Sequence, residues 1–135
     1  PPSIIEELGI NFTSLDQLLA ASDFISLNCN LTEANWHLLG PREFALMKPG
    51  VYIVNAARGP LIDEKALVQA LQNGKVAGVA LDVVEEEPLP LDSPLRPFDN
   101  CIFGTHNASN THEAVMRVNE RAINNLLEAL GCVNH

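Results

Sequence analysis

Short apolar runs alternate with amphipathic stretches along most of this chain. Runs in which nearly every residue is apolar are typical of parallel strands that are buried on both faces. On this pattern we predict three adjacent parallel strands and a shorter fourth strand, with one weaker candidate strand near the start. The three main strands lie at 24–29, 51–54 and 76–81, the fourth at 101–104, and the weak candidate at 10–12.

Helical signals lie between these runs. Ser14 and Asp63 are residue types that favour a helix N-cap, and Pro41 suits the first helical turn. Asn110, with Glu113 three residues later, predicts the N-cap of a long final helix whose apolar positions recur at three- and four-residue steps. The predicted helices span 4–8, 14–21, 41–47, 63–72 and 110–130.

The alternation of strands and helices predicts an α/β fold. Parallel strands need crossover connections, and these place helices on both faces of the sheet. In such sheets, ligands bind at the edge where the strands have their carboxyl ends. The residues expected at this edge include a cation, a histidine and several acids, namely Arg58, His106, Asp82 and the acidic run 85–87.

These side chains have a plausible joint chemistry. Arg58 offers a planar fork that can bind a carboxylate through two hydrogen bonds and polarise an adjacent carbonyl. A carboxylate near His106 would stabilise the protonated imidazole as a proton donor. Together they suit the interconversion of a 2-keto acid and a 2-hydroxy acid, with the hydride supplied by a cofactor.

Each of these residues also has a simpler interpretation. An isolated loop arginine is more often a surface residue, and His106 could be a structural loop histidine. At least two of the three acids at 85–87 are expected to be solvated. Asp82 could equally hydrogen-bond to loop amides.

Composition narrows the class of partner. The net charge of −9 argues against nucleic acid and against an anionic membrane surface. The first residues lack the charged start and apolar core of a signal peptide. Three widely separated cysteines indicate reduced thiols in the cytoplasm, with neither a disulfide framework nor a metal site. Cys29 and Cys101 fall in predicted strands, so we expect both to be buried.

Several segments resemble signatures of the D-isomer-specific 2-hydroxyacid dehydrogenases. Residues 47–59 (MKPGVYIVNAARG) are similar to the arginine signature of that family. Residues 78–83 (GVALDV) followed by Glu87-Pro88 are similar to its glutamate signature, and Thr105-His106 to its histidine signature. Residues 22–28 (SDFISLN) resemble an upstream signature. The resemblance covers nearly the whole chain.

The resemblance implies a role for each matched residue. Arg58 would bind the substrate carboxylate and carbonyl, and His106, paired with Glu87, would be the acid/base. The substrate would be a small 2-hydroxy or 2-keto acid and the cofactor NAD, with NADP left open. The residues implied near the nicotinamide are Cys29, Asn30, Ala56, Ala57, Arg58, Asp82 and His106.

The sequence also departs from the family pattern. Thr105 replaces a proline common before the histidine, and residues 107–110 replace a glycine-rich stretch. Asn30 stands where proline is usual. The Gly-x-Gly-x-x-Gly turn that binds the dinucleotide pyrophosphate is absent from all 135 residues.

We therefore expect the carboxyl-terminal part of a larger enzyme, a homodimer when full length and inactive as this part alone. Residues 1–109 would be the distal half of a Rossmann-type doubly wound parallel sheet, with the first βαβ half missing. Residues 110–135 would form a long helix returning toward a missing substrate domain. The main alternative is an NAD-sensing, corepressor-like binding protein on the same scaffold, and an inactive truncated product is a third possibility.

Overall fold

Strands and helices alternate along the part of the chain that the computed structural model describes, residues 7–107 and 110–132. The strands are β1 (Phe24–Leu27), β2 (Val51–Asn55), β3 (Val76–Leu81) and β4 (Cys101–Phe103). The helices are α1 (Leu15–Ala21), α2 (Pro41–Leu46), α3 (Glu64–Gln72) and α4 (His112–Ala129). Short 3-10 turns lie at Glu33–Asn35 and Gly59–Leu61.

The four strands form one parallel sheet in the order β1-β2-β3-β4. Ile25 pairs with Ile53, Ile53 with Val79, and Val79 with Cys101. The predicted parallel sheet and the adjacency of the three main strands are confirmed. Because all the pairs are parallel, all four carboxyl ends lie at the same edge of the sheet.

The hydrophobic core lies between one face of this sheet and helices α1–α3. Full burial of an aliphatic side chain contributes about 1.5–3 kcal/mol to the free energy of unfolding relative to exposure, so this face holds the sheet and helices together. Its buried side chains include Ile25, Ile53 and Val79 from the strands and Leu19, Phe44 and Leu67 from the helices.

The opposite face of the sheet is open in the described part of the chain. Phe24 and Tyr52 stack there with ring centroids 5.3 Å apart, and the Ile102 side chain is 70% exposed. Helix α4 likewise has no buried residue, although Val118 and Leu126 belong to its predicted apolar stripe. Helices were expected on both faces of the sheet, but among the described residues they cover only one face.

The starts of the helices follow the prediction at three of four sites. Ser14 accepts a hydrogen bond from the Gln17 amide, Pro41 occupies the first turn of α2, and the Asp63 carboxylate caps α3. Asn110 was predicted to cap the last helix, but this was wrong. Thr111 is the N-cap, since its hydroxyl accepts a hydrogen bond from the Ala114 amide and Asn110 lies one residue earlier.

Two other predictions fail in the amino-terminal third. Residues 10–12 form no strand; Ile10 and Phe12 are exposed and pair with no neighbour in the described sheet. Strand β1 ends at Leu27, so Cys29 lies in the following loop and is exposed. Of the predicted helix at 4–8, residues 4–6 lie outside the described residues.

The three cysteines are free thiols. Cys101 lies on β4 and is partly buried, and this burial raises the pKa of its thiol. Cys132 is exposed, like Cys29. The thiolate is the nucleophilic form, so the burial of Cys101 makes its thiol less reactive than an exposed thiol would be.

Candidate functional site

Backbone hydrogen bonding continues beyond the carboxyl ends of three strands. The Asp82 amide donates to the Asn55 carbonyl at 3.0 Å, which extends the pairing of β2 with β3. The Gly104 amide donates to the Leu81 carbonyl at 2.7 Å, and the His106 amide donates to the Asp82 carbonyl at 2.8 Å. The loops that follow these strands are therefore held side by side, in register with the sheet.

Two glycines allow these loops to approach more closely than other residues would permit. A Cβ atom on Gly59 would overlap the Val84 carbonyl, and one on Gly104 would overlap the Asp82 side chain. Both clashes involve groups that are themselves held by the fold. The loop of Arg58 thus packs directly against the loop of Glu87, and the loop of His106 packs against Asp82.

Asn55 organises the loop that carries Arg58. It ends β2 and is fully buried, and its side-chain amide donates to the Arg58 carbonyl at 2.9 Å. Its side-chain oxygen accepts from the Ala57 amide at 3.0 Å. Sequence reasoning assigned Asn55 only to the loop. The sequence did contain a signal for this role, namely a polar residue directly after an apolar strand. If such a residue is buried, its side-chain amide needs hydrogen-bond partners.

A cavity of about 380 Å³ opens between the loops that follow β1 and β2. Arg58 is exposed at this cavity, and its Nη1 donates to the Ala57 carbonyl at 2.6 Å. The cavity brings together five of the residues predicted to lie near the nicotinamide. They are Cys29, Asn30, Ala56, Ala57 and Arg58.

His106 and Glu87 form a close pair in the neighbouring loops. The His106 Nδ1 atom lies 2.7 Å from Glu87 Oε2, and both side chains are partly exposed. The second carboxylate oxygen of Glu87 accepts from the Val84 amide at 3.3 Å. His106 adopts a φ of 56°, in the left-handed region that L residues rarely occupy. Such strained positions cluster at functional sites.

A second cavity, of about 370 Å³, contains this pair. Asp82 and Thr105 line it beside Glu87 and His106, together with apolar side chains such as Phe103. The predicted site is therefore divided between two cavities, with Arg58 at the first. Asp82 also accepts from the Asn107 amide at 3.1 Å, so the interpretation that it bonds to loop amides is confirmed.

The geometry of the pair suits proton transfer. Glu87 binds Nδ1, so Nε2 is the ring nitrogen left for a ligand. A carboxylate on the far side of the ring holds the imidazole in one orientation. In the described ranges, no group of three or more His, Cys, Asp and Glu side chains could hold a metal ion. No helix in the same ranges has the length and apolar character to span a membrane.

Comparison with known proteins places this site in context. Residues 1–108 match the family model described as "D-isomer specific 2-hydroxyacid dehydrogenase, NAD binding domain". A glyoxylate reductase from Thermofilum pendens is 46% identical over 122 residues, which cover 90% of this chain and 36% of the relative.

Solved structures agree with this match. A glyoxylate reductase from Paecilomyes thermophila superposes with a TM-score of 0.86 at 44% identity, covering 96% of this chain and 38% of that one. A D-lactate dehydrogenase from Aquifex aeolicus, complexed with NAD and lactic acid, has a TM-score of 0.80 at 34% identity, covering 95% of this chain and 43% of that one. The chain thus spans less than half the length of the proteins it matches.

We predict that Asn55→Ala destabilises the chain. The substitution leaves the Ala57 amide and the Arg58 carbonyl without their partner in a partly buried setting, which costs about 1–3 kcal/mol in the free energy of unfolding. Urea unfolding of the 135-residue chain measures this change. Asn28→Ala removes an exposed amide and should change the value by no more than about 0.5 kcal/mol. Equal unfolding curves for wild type and Asn55→Ala would contradict the assignment.

Proposed function

Because the chain belongs to the D-isomer-specific 2-hydroxyacid dehydrogenase family, whose NAD-binding domain it matches, we propose that it serves hydride transfer between nicotinamide and a small D-2-hydroxy or 2-keto acid. The observation that carries the proposal is the pair of His106 Nδ1 and Glu87 Oε2, 2.7 Å apart at the carboxyl edge of the sheet. A proton donor held by a carboxylate is the group that reduction of a carbonyl needs.

In this proposal His106 handles the proton. When a 2-keto acid is reduced, a hydride reaches the carbonyl carbon and the Nε2 proton of His106 passes to the carbonyl oxygen, which gives the hydroxy acid. Oxidation reverses both transfers. Glu87 does not exchange a proton with the substrate; it orients the ring through Nδ1.

Arg58 binds the substrate carboxylate. Its loop is built by Asn55 and lies against the loop of Glu87 through Gly59 and Val84. A 2-keto acid carries its carboxylate beside the carbonyl that is reduced. The substrate would therefore extend from Arg58 in the first cavity toward His106 in the second, with the guanidinium fork holding the carboxylate.

The cofactor of this reaction is NAD, or NADP, whose nicotinamide supplies the hydride. The first cavity fits the nicotinamide end, because Ala56 and Ala57 are small and Asn30 offers an amide. We assign Cys29, Asn30, Ala56, Ala57, Arg58, Asp82 and His106 to its surroundings. The pyrophosphate needs another part of a longer polypeptide, since the glycine-rich turn is not in this sequence.

The proposal includes a larger enzyme around this chain. Residues 1–109 would complete a nucleotide-binding sheet with a preceding half, and residues 110–135 would pack on a substrate domain. The open sheet face and the unburied α4 support this arrangement, since apolar faces of that kind are usually covered by protein. The proposal also includes a homodimer in the cytoplasm, which is supported by the family resemblance and by the free cysteines.

We predict that His106→Ala lowers the turnover of the full-length enzyme. General acid/base groups contribute about 10²–10⁴-fold, so kcat should fall on that scale while NAD affinity stays nearly unchanged. Steady-state kinetics in an assay limited by chemistry, together with NAD titration, measures both. Lys65→Ala is the control, because Lys65 is an exposed residue of α3 and lies outside both cavities, and it should keep wild-type turnover.

Wild-type turnover in His106→Ala would make His106 a structural loop residue. The NAD-sensing binding protein, which needs no proton donor, would then be the better proposal.

We predict that Arg58→Lys raises the KM for the keto acid. An ammonium cannot reproduce the two parallel hydrogen bonds of a guanidinium to a carboxylate. The loss of one charge-assisted bond corresponds to an increase in KM of about ten- to a hundredfold. Arg42→Lys, on the exposed surface of α2, should leave KM unchanged. An unchanged KM in Arg58→Lys would remove Arg58 from the substrate site.

We predict that the 135-residue chain alone does not turn over a D-2-hydroxy acid, because it lacks the turn that binds pyrophosphate. Formation of NADH, followed by absorbance with a series of D-2-hydroxy acids, tests this expectation. Saturable NAD-dependent oxidation by the isolated chain would show that the cofactor is held by residues already present here.

A further inference from the structure

Glu87 belongs to a segment that has no helix or strand of its own. Residues 82–100 connect β3 to β4 and contain turns and extended stretches only. Glu87 must nevertheless hold His106 with atomic accuracy, because a displacement of about 1 Å in a catalytic group can cost roughly 10²-fold in rate. The position of Glu87 therefore depends on side chains that hold residues 85–90, which we call the Glu87 segment.

Arg96 holds the carboxyl-terminal end of the Glu87 segment. Its Nη2 donates to the Leu89 carbonyl and its Nε donates to the Pro90 carbonyl, both at 2.7 Å. These carbonyls lie two and three residues after Glu87. The planar guanidinium binds both at once, which fixes the direction of the backbone as well as its position.

The backbone at Arg96 is held by a turn next to the core. The neighbouring Leu95 is fully buried in the core, and its amide donates to the hydroxyl of Ser93, which is also buried. The Arg96 amide donates to the Ser93 carbonyl at 3.1 Å. The guanidinium is thus supported by a turn that is anchored in the core.

Glu64 holds the other end of the Glu87 segment. The Glu85 amide donates to Glu64 Oε1 at 2.7 Å, and the Glu64 amide donates to Glu85 Oε1 at 2.9 Å. Burial raises the pKa of the Glu64 carboxyl, in keeping with a position at the packed start of α3. Because α3 follows the loop of Arg58, this reciprocal pair of hydrogen bonds joins that loop to the Glu87 segment.

We propose that Arg96 and Glu64 are positioning residues, which hold the two ends of the Glu87 segment and thereby keep Glu87 bonded to His106. Neither residue exchanges a proton with the substrate in this role. The inference rests on the proposed function and extends it to two residues that lie outside the motifs of the family resemblance.

The test is a double-mutant cycle in the full-length enzyme. Arg96→Met keeps the aliphatic stem and removes both hydrogen bonds, so we expect kcat to fall about ten- to a hundredfold, with KM for the keto acid and NAD affinity nearly unchanged. Arg96→Lys can donate to one carbonyl at a time and should recover part of the loss. In a Glu87→Ala background, Arg96→Met should cause no further loss, because the group it positions is already absent.

Glu64 gives an independent pair of variants. Glu64→Gln keeps an oxygen that accepts from the Glu85 amide and should retain most of the turnover, whereas Glu64→Ala should lower kcat in the same way as Arg96→Met. Arg42→Met is the matched surface control for turnover and should keep the wild-type kcat, although it removes the ion pair between Arg42 on α2 and Asp16 on α1. The unfolding temperature of each variant is measured alongside its kcat. A substitution that acts through a general loss of stability would lower the unfolding temperature both in the enzyme with Glu87 and in the Glu87→Ala enzyme.

Three results would overturn the inference. Wild-type kcat in both Arg96→Met and Glu64→Ala would show that the segment holds its position without them. A further loss on adding Arg96→Met to Glu87→Ala would show that Arg96 acts independently of Glu87. Either result leaves the proposed function standing if His106→Ala remains impaired, whereas wild-type turnover in Glu87→Ala would overturn both.

Discussion

Backbone hydrogen bonds that continue the sheet past the carboxyl ends of its strands hold Asp82 and the loop of His106 in place at this edge. Buried backbone amides and carbonyls need partners, and here the loops satisfy one another by continuing the parallel ladder. Asp82 is central, since its amide bonds to Asn55 and its carbonyl to His106. The backbone of Asp82 and of His106 is therefore held by hydrogen bonds that continue the sheet.

The close packing and hydrogen bonding of these loops restrict which residue types can occupy several of their positions. Gly59 and Gly104 are needed where backbones touch, and Asn55 and Asp82 use their side chains to bond loop amides. His106 is held in the left-handed region by its own amide and by Glu87. A site built in this way is preorganised, so little rearrangement is needed when a charged transition state forms.

The predictions that failed share a cause. The strand prediction at 10–12 and the extension of β1 to Cys29 both relied on local apolar character, but a strand also needs a neighbour with which to pair. Thr111 and Asn110 are both good N-caps, and which one serves depends on where the first helical turn begins. Local patterns placed β1 and the last helix to within a few residues, but packing and strand pairing decide where each element begins and ends.

Local chemistry was sufficient for the order of the strands and the caps at Ser14 and Asp63, whereas the expectation that Glu87 pairs with His106 came from the family resemblance. The strand order and the caps depend on residue types at short spacing or on the shared edge that parallel strands impose. The sequence could not reveal that Arg58 lies at a different cavity from His106, that Glu64 bonds to Glu85, or that Arg96 holds the Glu87 segment. Each depends on the path of a loop without regular structure, and that path is set by which buried groups find partners once the whole chain has folded.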